Sequence, residues 1–197
     1  MSTEDEDPPS YQFPFAVCCA TDLSVDLMNH FLDLNKHNND PSSEPTIAMT
    51  FFDQVDNYLS SPSVPPVQKA SNPSSPFKGK SAQQCYLLLR QMVQVTGSEF
   101  NWEEFVIVDE RTLEDNSVQL VSRPNIEEEE EEESNEAISV RVLMHLAQDV
   151  LFTCASGKTD VEEVRAMVSA PKEWDVEDWI RDGVLVAWGG KTEEDLN

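Results

Sequence analysis

Residues 134–154 read SNEAISVRVLMHLAQDVLFTC, and their periodicity constrains how the remainder of the chain is arranged. On a helical wheel, Val142, Leu146, Val150, Leu143, Ala147, Val140, Leu151 and Met144 fill one continuous arc of roughly 200°, whereas a surface helix needs only about 100°. Ser134 is the expected N-cap, and Glu136 in the first turn complements the helix dipole. Arg141, His145, Gln148 and Asp149 share the narrow polar face. Such a helix must be covered on two sides. Either its own domain buries the whole arc, or part of the arc receives a partner. Val142 lies at the margin beside Asp149 and is the expected docking position, with Ala147 and Leu151 as core.

A chain of 197 residues that is 39% hydrophobic can bury one sizeable core. One domain over residues 11–190 is therefore expected. It should be flanked by disordered tails at 1–10 and 191–197, and interrupted by flexible loops at 60–80 and 126–134. Thirteen Lys and Arg against 38 Asp and Glu give a net charge of −25. That charge repels nucleic acid phosphates and anionic membranes, so the expected partners are proteins with basic patches. The charge is also uneven: residues 81–98 carry Arg90 and no acid, while residues 99–136 carry fifteen acids against Arg111 and Arg123.

Cys18, Cys19, Cys85 and Cys154 show no CxxC spacing and sit among apolar residues, the pattern of reduced core thiols. The acidic start MSTEDEDPP and the lack of any run approaching eighteen apolar residues point to an intracellular, soluble protein.

In chain order, Phe13–Cys19 reads as a strand whose Pro14 favours an edge position or an irregular start. Asp22–His37 reads as an amphipathic helix capped by Thr21 or Asp22, with NNDPSSEP ending it. A second helix is expected over Ala48–Leu59, offering Phe51, Phe52, Val55 and Leu59 to the core. Five prolines among serines make 60–80 a flexible loop. The loop holds two candidate phosphoacceptors, Ser61 before Pro62 and Ser75 in the Ser-Pro-x-Lys pattern favoured by cyclin-dependent kinases. Ser81–Thr96 is a helix capped by Ser81, ended by Gly97 and lined by Cys85, Leu88, Leu89, Met92 and Val93.

WEEFVIV (102–108) and VQLV (118–121) read as a strand pair joined by a long turn, and Glu127–Glu133 as an extended, solvated hinge. Asp160–Ala170 fits both a helical and a strand period, and its second half leans to strand. Trp174 and Trp179 flank DVED, and VLVAW after Gly183 reads as a last strand. The GKT at Gly157 lacks the first glycine of a phosphate loop and is a turn. No nucleophile, base and orienting group assemble, and no histidine has ligands at metal spacing, so neither enzyme chemistry nor a cofactor is expected.

FAVCCATDLSVDLMNHFLDL, SAQQCYLLLRQMVQV, FVIVDERTLEDNSVQLV, RVLMHLAQDVLF and AMVSA…DWIRDG, taken in order, resemble the Comet family. These are HORMA-like adaptors that bind the closed form of the spindle-checkpoint protein MAD-two. The resemblance implies an α/β HORMA-like fold, with about three helices against an antiparallel sheet and no active site. It implies an adaptor that delivers its closed partner to a hexameric AAA+ ATPase, silences the checkpoint, and resides in nucleus and cytoplasm with spindle association in mitosis. The partner-binding positions it implies are Val142, Leu143 and Leu146, with Leu34 or Asn35 at the end of the first helix. The alternative is an acidic chaperone or regulator that shields a basic partner through its charged segments.

Overall fold

A computed structural model of the chain describes residues 13–36, 48–123 and 137–169. The readings made for the two tails, Asn38–Pro45, the glutamate run, the tryptophans at 174 and 179, and VLVAW lie outside the described residues. In order, the elements are β1 (Phe15–Cys19), α1 (Val25–Leu34), β2 (Met49–Phe52), α2 (Ala82–Thr96), β3 (Asn101–Val108), α3 (Thr112–Asp115), β4 (Ser117–Ser122), β5 (Ile138–Leu143), a single 3-10 turn (Met144–Leu146), α4 (Ala147–Ala155) and α5 (Val161–Ser169). The strands form one sheet in the order β2-β1-β3-β4-β5.

β1 is fully buried along its length. The pleat sends Phe15, Val17 and Cys19 to one face, where α1, α4 and α5 close a core around Phe31, Leu32, Leu151 and Val164. It sends Ala16 and Cys18 to the other, where α2 closes a second core with Phe77, Leu89, Met92 and Phe105. The strand lies inside the sheet, not at its edge. Pro14 precedes the ladder and uses only its carbonyl, which accepts the Asn101 N–H at 2.8 Å. The irregular start is present as a register shift between Phe15 and Ala16.

The α/β class stands, but the sheet is mixed: β1 runs parallel to β2 and β3, and only β3-β4-β5 is antiparallel. Crossovers through α1 and α2 bring successive strands back in the same direction, which a tight hairpin cannot do. The described residues hold five α-helices, two more than the three expected.

Residues 134–154 do not form one helix. Their first half is β5, with Ile138, Val140 and Val142 on the core face alternating with Ser139, Arg141 and Leu143. Val142 is 4% exposed and Leu143 48%. β-branched residues at every second position favour the pleat, and β4 supplies a partner along the whole strand. A strand alternation followed directly by a helix fills a wheel as widely as a helix buried on two sides. Ala147 and Leu151, on α4, are core as expected.

The Ala48–Leu59 helix is likewise replaced, by β2. Phe51 and Phe52 are consecutive, and they serve opposite cores, as neighbours on a strand must. In Val161–Ser169 the helix prevails: Val161 and Val164 are buried one turn apart, and Val168 is exposed. α1 is capped by Ser24 rather than Thr21 or Asp22, with the Leu27 N–H donating to Ser24 Oγ at 3.2 Å. α2 matches its sequence reading, capped by Ser81 and ended by a left-handed Gly97 at φ 67°, and the structure adds a reciprocal Ser81–Gln84 capping box.

Residues 60–80 carry no helix or strand, yet they are anchored rather than free. The Ser63 N–H donates to Met49 O at 2.8 Å and the Thr50 hydroxyl to Ser61 O at 2.7 Å, which covers the outer edge of β2. The Leu23 N–H donates to Ser71 Oγ at 2.7 Å, and Phe77 is fully buried. Serines that composition assigns to solvent act here as backbone partners.

Strand and helix readings of residues 138–143 differ in one pair of substitutions. Val142→Glu should cost about 4 kcal/mol or more, because it buries an unpaired charge. Leu143→Glu should change stability by no more than about 0.5 kcal/mol. Chemical denaturation of the two variants separates the outcomes.

Candidate protein-binding site

The positions implied by the resemblance do come together in space, but most are structural. Asn35 is 3% exposed. Its side-chain amide donates to Phe31 O at 2.8 Å and Met144 O at 2.9 Å, and its oxygen accepts the Gln148 N–H at 2.9 Å. Gln148 in turn accepts the Ala48 N–H at 2.8 Å. This chain of bonds joins the end of α1, the approach to β2 and the start of α4, and it commits the hydrogen-bonding groups of Asn35 internally. Val142 and Leu146 are core as well. Leu34, 38% exposed, and Leu143 remain at the surface, each next in sequence to one end of the Asn35–Met144 bond.

Of the two serine-proline positions, Ser61 is exposed. Ser75 is buried: its hydroxyl donates to Cys19 O at 2.6 Å and accepts the Phe77 N–H at 3.4 Å. It pins the Pro/Ser segment to β1 and is not presented to solvent.

The opposite end of β5 opens on a cleft of about 700 Å³. Asn101, Glu103 and Glu104 line it from β3, Ser122 and Arg123 from the end of β4, Ile138 from the start of β5, and Asp160, Glu162 and Glu163 from the approach to α5 and its first turn. A bulge creates this opening. Phe15 pairs with Asn101 and Ala16 with Phe105, so residues 102–104 have no counterpart on β1. The Asn101 side chain holds the bulge by accepting the N–H groups of Glu103 and Glu104, both at 3.1 Å. Trp102 packs on Tyr86 of α2 with ring centroids 5.5 Å apart.

The alternation of β3 puts Glu103 outward and Glu104 on the face of Val106 and Val108. Burial raises the Glu104 carboxyl from its ordinary 4.5 to about 7, opposed by the Asn101 hydrogen bond and assisted by the Glu103 charge. Burial also pushes the Cys154 thiol up to about 12, and the charges of Glu104, Asp160 and Glu163 add to the effect. A thiol held protonated in this way is a poor nucleophile. Glu103 pairs with Arg123 at 3.4 Å, and Glu163 accepts the Thr159 hydroxyl at 2.7 Å. With Lys158 as the second cation of the lining, acids outnumber bases at the cleft.

Arg123 and Ile138, both on the rim, bracket in sequence the segment that carries Glu127–Glu133. The acids lining the cleft therefore lie at the end of the sheet from which the β4–β5 connection leaves and to which it returns. Sequence reasoning singled out the run but missed Glu104, although its i, i+2, i+4 relation to Val106 and Val108 was legible.

Asn35→Ala should cost about 2 to 3 kcal/mol, since it leaves the Met144 carbonyl and the Gln148 N–H buried without their partner. Glu104 adds a pH signature. Between pH 4.5 and about 7 the folded state keeps a proton that the unfolded state has lost, so this group lowers stability as pH rises through that window. Denaturation of Glu104→Gln should show a shallower decline across the window than the parent protein; an unchanged difference between the two at every pH contradicts the assignment.

Comparison with protein-family models, with curated proteins and with solved structures finds no match to this chain.

Proposed function

We propose that the protein is a non-catalytic binding module that shields a basic segment of a partner protein, acting as an acidic chaperone or regulator. The observation that carries this reading is the convergence at one cleft of acids from β3 and the start of α5; in sequence, seven consecutive glutamates lie between Arg123 and Ile138 of its lining. A lysine or arginine side chain entering the cleft meets a half-buried Glu104 that gains a counter-charge and ionises, so electrostatic attraction and desolvation act together. The rest of the charge of −25 steers a cationic partner from a distance and repels polyanions.

The checkpoint-adaptor reading is the second proposal, and Leu34 and Leu143 favour it. They are exposed apolar residues flanking the Asn35–Met144 bond, a surface on which a closed HORMA protein of the MAD-two type could seat before an AAA+ ATPase remodels it. Val142, Leu146 and Asn35 belong to the core and drop out of that contact. The two surfaces lie at opposite ends of β5, about 17 Å apart for a strand of this length, so variants address them separately.

Binding of a lysine-rich peptide, followed by calorimetry, tests the first reading. The dissociation constant should weaken at least tenfold between about 50 and about 300 mM salt. Replacing Glu127–Glu133 with a Gly/Ser segment of equal length should weaken it by a further factor of about ten. Leu143→Asp should leave it unchanged. Capture of closed MAD-two that survives high salt and the Gly/Ser replacement but is abolished by Leu143→Asp overturns this reading in favour of the adaptor.

A further inference from the structure

Ser61 and Ser75 are the only serines or threonines of the chain that precede a proline, and their surroundings reverse the order of their motifs. Ser75 has the fuller motif, with Lys78 three residues on. It is also locked in place. Its hydroxyl spans Cys19 O and the Phe77 N–H, the Asn72 N–H donates to Asp53 at 2.6 Å, Phe77 is fully buried, and Lys78 pairs with Asp22. Asn72, Ser75, Phe77 and Lys78 would all have to leave their places before the groove of a kinase could enclose the serine.

Ser61 is held through the backbone instead. Its carbonyl accepts the Thr50 hydroxyl at 2.7 Å, and two residues on the Ser63 N–H reaches Met49 O at 2.8 Å. Among the described residues no hydrogen bond engages the Ser61 hydroxyl. The neighbouring serines differ: Ser63 Oγ accepts the Phe51 N–H and Ser71 Oγ the Leu23 N–H. Tyr58, Ser61, Pro62 and Val64 are exposed, so the anchored backbone turns the acceptor and residues on both sides of it to solvent. Pro62 offers no backbone N–H, the property that proline-directed kinases select beside their acceptor. We propose that Ser61 is a phosphorylation site for a proline-directed serine/threonine kinase, and that Ser75 is closed to the same enzyme while the protein is folded.

In the transfer, Ser61 Oγ attacks the γ-phosphorus of Mg-ATP, and the bond from that phosphorus to the β,γ-bridging oxygen breaks. ADP leaves, and the hydroxyl proton passes to the kinase's catalytic aspartate and then to solvent. The product adds a charge of about −1.5 to −2 at pH 7. At Ser61 the phosphate displaces water rather than a structural contact, so the fold accommodates it. At Ser75 the same group would replace the bond to Cys19 O and set a dianion in a buried site. Modification there requires the segment to lift from β1.

A kinase of this class that phosphorylates free peptides spanning 55–67 and 69–81 is given the folded full-length chain and Mg-ATP. Trypsin cuts after Lys69, so the two sites fall on different fragments and mass spectrometry scores them separately. Phosphate should appear on Ser61 of the folded chain. The ratio of the Ser61 rate to the Ser75 rate should rise at least about tenfold from the free peptides to the protein, because reaction at Ser75 waits on local opening. Ser61→Ala should remove the label and leave the melting temperature unchanged. Absence of phosphate from Ser61 of the folded chain, or a ratio that stays the same or falls, overturns the proposal.

Discussion

Complete burial of β1 on both faces and both edges is the constraint on which the rest depends. FAVCC is flanked by parallel partners, β2 on one side and β3 on the other. With no exposed face, the strand needs a helical layer on each side, and the chain supplies α2 for one and α1, α4 and α5 for the other. Crossovers through helices follow because parallel neighbours cannot be joined by short turns. The two cores, the mixed sheet and the separation of the cysteines are consequences of this one placement.

The cleft arises where that placement lapses. At the N-terminal end of β1 the ladder with β3 skips residues 102–104, and the freed length of β3 carries a carboxylate to the margin of the core. Asn101 makes the skip affordable by accepting the backbone N–H groups of Glu103 and Glu104 within the stretch that has no counterpart on β1. The β4–β5 connection starts and ends on the same rim, and the first turn of α5 closes it. The proposed binding surface thus sits at the sheet's irregular end, while the regular end is sealed by Asn35 and Gln148.

How much of this was legible in the sequence depended on whether local signals agreed. For α2 a serine cap, an amphipathic face and a terminal glycine all pointed one way, and the helix has those bounds. β3 and β4 were also clear, because β-branched runs on either side of a polar turn fit only a strand pair. Residues 138–154 misled because Val140, Val142 and Leu146 share a helical face in projection even though a change of element separates them; ISVRV by itself carried the period of two. Phe51-Phe52 posed the same ambiguity over fewer residues. Asn35, Ser71 and Ser75 could not be read as structural from sequence, since each bonds to a backbone group distant along the chain. The bulge that exposes Glu104 is equally invisible, because it exists only relative to β1.

Backbone-amide NMR during titration with a lysine-rich peptide addresses most directly the claim that the acidic end of the sheet is the binding surface. Saturable shifts should concentrate on Glu103, Glu104, Ser122, Arg123 and residues 158–163, with Leu34, Asn35 and Leu143 unmoved. Shifts confined to Leu34, Asn35 and Leu143, with the cleft residues silent, would contradict it.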